Sequence, residues 1–138
     1  MVAEDTMSEQ IEVRTPAHAC LVDITGQVER FVSRSGTEEG ICCIFVPHTT
    51  AGVTINENAD PTVRSDILKE LDKFVPWHDD YDHSEGNAAA HIKSSLVGSS
   101  QLVFISGKSL KLGTWQGIFL AEFDGPRTRK VWLKVIAG

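Results

Sequence analysis

Basic charge is scarce in this 138-residue sequence: 13 Lys and Arg stand against 19 Asp and Glu, a net charge of -6. Nucleic-acid binders draw most of their affinity from neutralising phosphates, so no nucleic-acid partner is expected. An anionic ligand would need a local basic cluster or a bound cation. Cysteine is scarce as well. Three residues, an odd count, make no disulfide framework, and no Cys-x-x-Cys pair offers a thiolate zinc site. Cys42 and Cys43 adjoin in an apolar run, which fits reduced packing residues of a cytoplasmic protein. No apolar run nears the roughly 18–20 residues of a membrane helix, so no membrane partner is expected either. Internal repeats, low-complexity linkers, Gly-x-Ser-x-Gly, HExxH and a dinucleotide fingerprint are all absent. Gly107-Lys108-Ser109 has the ending of a phosphate loop, but Leu102 stands where that motif needs its first glycine.

What is present reads as one α+β domain over residues 15–138, after an acidic, polar segment 1–14 that reads as a disordered tail. Apolar alternation predicts a strand within 15–24, and Thr25 stands where a helix through Ser35 would be capped. The unbroken run Ile41–Val46 predicts a central strand buried on both faces. Asp60-Pro61 is a strong helix start, followed by helical spacing to Phe74. Asn87 caps a second helix to Gly98, with Ala88, Ile92, Leu96 and Val97 expected inward. Further strands are predicted at 102–105, 117–123 and 130–136, the last two joined as a hairpin by Asp124-Gly125-Pro126. The sum is a largely antiparallel or mixed sheet with about three helices.

Polar residues gather at His48-Thr49-Thr50, at Tyr81–Asn87 with His91, and at Gly113–Gln116. His91 falls one turn inside the helix that starts at Asn87, where the positive helix end favours a neutral imidazole. Neutral rings are what a metal takes. His48, His83 and His91 are therefore candidate ligands for an open, catalytic zinc-type site, with Asp82 and Glu85 as further ligands, orienting partners or general base. Spacing alone equally allows surface or hydrogen-bonded core histidines. Glu122 shares a strand face with Ile118 and Leu120, so its carboxylate must be paired, ligated or at the sheet rim. Trp115 is expected in the core with Phe119 and Phe123.

The stretches Val46–Glu57, His83–Asn87, Ala90–Lys93, Leu112–Gly117 and Glu122–Arg127 closely resemble the YjbQ-type family, and the likeness runs from about Thr15 to Val135. The resemblance implies an α+β fold, a homotrimer, and polar clefts near subunit interfaces. It also implies a thiamine-phosphate-synthase-like transferase, joining a pyrimidine methyl pyrophosphate to a thiazole phosphate with release of pyrophosphate. A divalent cation, zinc or magnesium, at His48, His83 and His91 would neutralise the leaving group. Glu85, Asp82 and Glu122 are then the catalytic candidates. Asn56, Thr114, Gln116, Lys108, Lys111 and Arg127 are the candidates for binding small phosphorylated substrates. Two alternatives carry the same residues: a non-catalytic binder of a metal or phosphorylated ligand, and a metal-dependent hydrolase.

Overall fold

Alternation along the carboxy-terminal segment builds the longest strand, and that strand organises the larger of two antiparallel sheets. The computed structural model describes residues 6–138. In chain order the elements are β1 (Thr6–Arg14), β2 (Cys20–Asp23), α1 (Thr25–Ser35), β3 (Glu39–Phe45), β4 (Ala51–Glu57), α2 (Pro61–Phe74), α3 (Ala88–Val97), β5 (Ser100–Ser106), β6 (Ser109–Leu110), β7 (Gln116–Glu122) and β8 (Thr128–Ala137). One sheet has the order β1-β8-β3-β5-β6 and the other β2-β7-β4. Among the described residues this is one α+β domain with three helices and antiparallel sheets, as expected, and it has eight strands in all.

The inner faces of the two sheets and α1 share the main core. Val131, Leu133 and Val135 of β8 meet Ile118 and Leu120 of β7 and Val28, Phe31 and Val32 of α1 there. A second cluster lies on the other face of the small sheet, where Ala121 and Phe123 pack with Ala90, Leu68, Leu71 and Trp77. The small sheet is thus covered on both sides. Its central strand β7 is buried from Gly117 to Glu122. The outer face of the five-stranded sheet is open and apolar, with Phe45, Leu102, Phe104, Trp132 and Ile136 exposed, and Phe45 stacks on Trp132.

Several expectations change. Residues 6–14 are a strand, because Met7, Ile11 and Val13 alternate with polar residues and β1 pairs β8 over its whole length. Residues 1–5 of the expected tail lie outside the described residues. β3 is buried on one face only, with Cys42 and Ile44 inside while Phe45 is exposed; β7 is the strand covered on both faces. β7 and β8 form no hairpin, since each already has both edges paired within its own sheet. Residues 123–127 instead carry the chain from one sheet to the other. The helix at Asp60-Pro61 stands, with Asp60 Oδ1 accepting from the Thr62 N–H at 3.0 Å. In α3 the buried residues are Ala89, Ala90, Lys93 and Ser94, whereas Ile92 and Leu96 are exposed. Small side chains on this face let the helix settle closely on β4. Trp115 precedes β7 and is 63% exposed, so it is no core residue. Among the described residues no helix is long and apolar enough to cross a membrane.

Candidate functional site

The loop after β3 leaves a strand end that is fixed by pairing on both sides, so His48-Thr49-Thr50 is held by a rigid base. Beneath it lies a buried ion pair. Glu122 is fully buried at the end of β7 and Arg129 is buried at the start of β8. Arg129 Nε donates to Glu122 Oε1 at 2.8 Å, and Arg129 Nη2 donates to Glu122 Oε2. The same Nη2 reaches Thr50 Oγ1 at 2.8 Å and Thr50 O at 3.2 Å. Glu122 also accepts from Thr15 Oγ1 at 2.8 Å and from the Asp124 N–H at 2.9 Å. Burial works to raise the Glu122 pKa, but the hydrogen bonds from Arg129, Asp124 and Thr15 outweigh it, and the pKa falls below the ordinary 4.5. Paired is therefore the answer to the oddity of Glu122. With both oxygens taken, it ties three segments together and presents nothing to a ligand.

A cleft of about 360 Å³ opens between this loop and the C-terminal half of α3, lined by His48, Thr49, Ala51, His91, Ser94, Ser95, Gly98 and Ser99. Gly52 makes the approach possible: a Cβ there would meet Gly98 O at 2.4 Å. The Val53 N–H donates to that same Gly98 O at 3.0 Å. His48 Nε2 accepts the Lys130 backbone N–H at 2.9 Å. A neutral ring that accepts at Nε2 carries its proton on Nδ1, so His48 is a fixed hydrogen-bond donor. Burial and the positive charges of Arg129 and Arg127 lower its pKa below 6.5, against the opposing pull of Glu122.

The three candidate ligands do not form one centre. His83 and His91 adjoin edge to face, with ring centroids 5.3 Å apart, and Glu85 lies 4.0 Å from His83 Nε2. Asp82, His83 and Glu85 are exposed in the loop before α3. His48 shares a cleft with His91, yet its Nε2 lone pair is engaged. Among the described residues no group of three His, Cys, Asp or Glu side chains is placed to hold a metal ion. The three-imidazole centre implied for a divalent cation thus does not fit this chain as it is folded.

The substrate-binding candidates divide. Arg127 does not line the cleft but lies close enough to His48 to act on its charge; its Nη2 is 3.4 Å from Asp124 Oδ2, and Asp124 in turn accepts from Asn87 Nδ2 at 3.0 Å. Asn87 occupies the cap position of α3 without capping it, contrary to expectation, and its buried Oδ1 has no protein partner. Asn56 and Gln116 belong to the opposite end of the small sheet, where Asn56 pairs with Gly117. Six residue steps along β7 separate Gln116 from Glu122, about 20 Å at strand rise. Gln116 Oε1 accepts from the Gly113 N–H, while Thr114 is exposed beside it. Lys108 sits in the β5–β6 turn with φ 67°, and Lys111 lines a separate small groove with Gln116. These five residues do not reach the His48 cleft within one chain.

Arg129, Thr50 and Ser94 were missed as site residues. A signal for Arg129 was available, because the alternation Arg129-Val131-Leu133-Val135 places it on the inner face of β8. An inward arginine needs a buried carboxylate, and Glu122 was already in search of a partner.

Comparison with known proteins matches residues 9–138 to the family described as UPF0047 protein YjbQ-like. UPF0047 protein YugU of Bacillus subtilis is 49% identical over 131 residues, covering 94% of this chain and 99% of its own. UPF0047 protein MJ1081 of Methanocaldococcus jannaschii is 52% identical over 125 residues, 91% of each chain. Among solved structures, a YjbQ/UPF0047 family protein of Clostridium acetobutylicum superposes with TM-score 0.91 at 54% identity, covering 93% of this chain and 99% of that one. A YbjQ-like protein of Sulfolobus solfataricus gives 0.93 at 36% identity, covering 96% and 98%.

Proposed function

The chain belongs to the YjbQ-like UPF0047 family, and from that premise we propose that it is a transferase of the thiamine-phosphate-synthase type. It joins a pyrimidine methyl pyrophosphate to a thiazole phosphate and releases pyrophosphate. The observation that carries this reading is the cleft between the His48 loop and α3, whose lining holds two histidines, Thr49 and three serines and no carboxylate. When pyrophosphate leaves the methylene carbon it takes the bonding electron pair, and the thiazole nitrogen supplies the new pair to that carbon. The developing negative charge needs donors that are already oriented. His48 supplies a fixed Nδ1–H and Thr49 supplies a hydroxyl, while Arg127, paired with Asp124, acts on His48 through its charge from outside the lining. Glu122 and Arg129 hold the loop in place. Because the three-histidine centre is not assembled within the chain, no step here runs through a metal.

Asn56, Thr114 and Gln116 lie at the other end of the small sheet, with Gln116 about 20 Å from Glu122 along β7, which favours a homotrimer in which neighbouring copies bring the two ends of the small sheet together. The open apolar face of the large sheet, with Phe45 stacked on Trp132, supports self-association. We place the protein in the cytoplasm on the strength of the free thiols Cys20, Cys42 and Cys43. The test is a product assay with both thiamine precursors on chelated protein and on protein supplied with magnesium or zinc, comparing wild type with His48→Ala and His91→Ala. Thiamine phosphate from wild type and a loss of at least tenfold in both variants are expected. Equal output from all three proteins would rule the reading out, and phosphate release without the thiazole partner would favour the hydrolase. A dependence on added cation would point to a centre that several copies build together.

A further inference from the structure

The cleft as one chain builds it lacks a wall for the rings of the proposed substrates. Apart from the histidines, Thr49 and the serines, its lining residues are Ala51 and Gly98, neither large enough to make one. A pyrimidine and a thiazole are flat rings, and proteins hold such rings by aromatic stacking and apolar contact. The loop between β6 and β7 carries the aromatic side chain that the lining lacks. Trp115 is 63% exposed there, on a loop that is closed on itself. The Gln116 N–H donates to Gly113 O at 3.1 Å, and Gln116 Oε1 accepts from the Gly113 N–H at 2.8 Å. The Asn58 N–H donates to Trp115 O at 2.9 Å and fastens the loop to the end of β4. Gly117 allows that approach, since a Cβ there would meet Asn58 Cβ at 2.7 Å. The indole is thus presented from a fixed backbone, and little freedom is lost when it is covered. The cleft of its own chain is out of reach, because Gln116 begins β7 at the end opposite Glu122. A second copy's cleft is not. Leu102 and Phe104 of the open apolar face line one groove with Leu112 and Gln116, so the loop continues that face. Covering the face with a second copy brings the loop into the contact. A contact that joins opposite ends of one subunit is head-to-tail, and such contacts close into rings.

We infer that the binding site is shared between copies: the partner subunit's Trp115 closes the His48 cleft and stacks on the ring of the pyrimidine substrate. The inference rests on the transferase reading and names the residue that a second subunit adds to it. Gln116 is then a positioning residue, since its side chain closes the turn that presents the indole.

Two measurements on the full chain test it, one of contact and one of turnover. For contact, Thr49→Cys and Trp115→Cys are combined in a chain that also carries Cys20→Ser and Cys43→Ser, and the protein is treated with a short bis-maleimide. Covalent dimers and trimers are expected from the combination, and none above background from Thr49→Cys or Trp115→Cys alone. For turnover, chains with Trp115→Ala and chains with His91→Ala are co-expressed in equal amounts and assayed below the KM of the pyrimidine substrate. Each variant alone should form thiamine phosphate about tenfold more slowly than wild type, the loss of one stacked ring in the case of Trp115. Trp115→Phe, which keeps a ring, should stay within about threefold of wild type. The mixture should recover to about a quarter of the wild-type rate, because random head-to-tail assembly leaves that share of sites with both residues native. A site built within one chain would recover nothing. Absence of covalent dimers and trimers overturns the inference, and so does a mixture no faster than its components while wild type turns over; either result leaves the transferase reading standing. Covalent trimers from a protein whose wild type forms no thiamine phosphate would remove the transferase reading and keep the shared cleft.

Discussion

Replacing Arg129 by methionine isolates the interaction on which the His48 loop depends. The substitution keeps the aliphatic stem but leaves the Glu122 carboxylate fully buried, with only Thr15 Oγ1 and the Asp124 N–H as donors. Thr50 Oγ1 loses its donor as well, although Thr50 O keeps the Phe123 N–H at 3.2 Å. Removing one partner of a buried ion pair costs about 3–5 kcal/mol. For a domain of this size that corresponds to a fall in Tm of roughly 10–20 °C. The double variant Arg129→Met with Glu122→Leu should recover much of the loss, because no charge is then stranded. Thr15 Oγ1 can donate to Arg127 O, 2.9 Å away, and the Asp124 N–H is the main group left without its partner. Urea denaturation of wild type, both single variants and the double variant measures the coupling directly. A cost below about 1 kcal/mol for Arg129→Met, the range of a surface pair, would show that the loop does not depend on this ion pair. So would a double variant no more stable than the worse single one.

Three further outcomes follow from the same geometry. Glu122 has its folded pKa below 4.5, so its contribution to stability is present above that value and is lost as pH falls through the lowered folded pKa. His48 is held neutral below 6.5, so the unfolded chain takes up its proton first and stability also declines as pH falls beneath 6.5. Denaturation at a series of pH values should show both declines, with Glu122→Gln flattening the acid one and His48→Gln the neutral one. Gly52→Ala would press a methyl group against Gly98 O and Val97 Cγ1, lifting α3 from β4 at a cost of about 1–3 kcal/mol. Hydrogen exchange should then rise at the amide of Val53, whose partner is Gly98 O. Trp132→Lys, on the open apolar face, should convert the proposed trimer to monomer in sedimentation analysis while leaving the fold intact by circular dichroism. An unchanged sedimentation coefficient would move the proposed interface elsewhere.

Helix α2 was readable because capping is local: Asp60 and Pro61 act on the residues immediately after them, and the structure repeats that logic. The pairing of Glu122 was readable in kind, since a carboxylate on an apolar strand face must find a donor. Its partner was legible only if β8 is taken as alternating from Arg129 onward. In α3 hydrophobicity alone points to the wrong buried face, because side-chain size decides it. Ala89, Ala90 and Ser94 go inside for their size, beside Gly52, and Ile92 and Leu96 are left outside. The hairpin at 124–126 misled for a different reason. A turn signal says that the chain reverses, and it does not say whether the next strand stays in the same sheet. The histidines show the limit most clearly. Sequence brings His83 and His91 to the start of one helix, as found, but the engagement of His48 by the Lys130 N–H joins residues 82 apart and leaves no local trace.

Transfer in the cleft between the His48 loop and α3 is tested by the ratio of thiamine phosphate formed to pyrophosphate released when both precursors are supplied, for wild type and for His91→Ala shown to be folded by its melting curve. A one-to-one ratio is expected with wild type, and at least a tenfold drop in both products with the variant. Pyrophosphate released without thiamine phosphate, or a variant as productive as wild type, would contradict it.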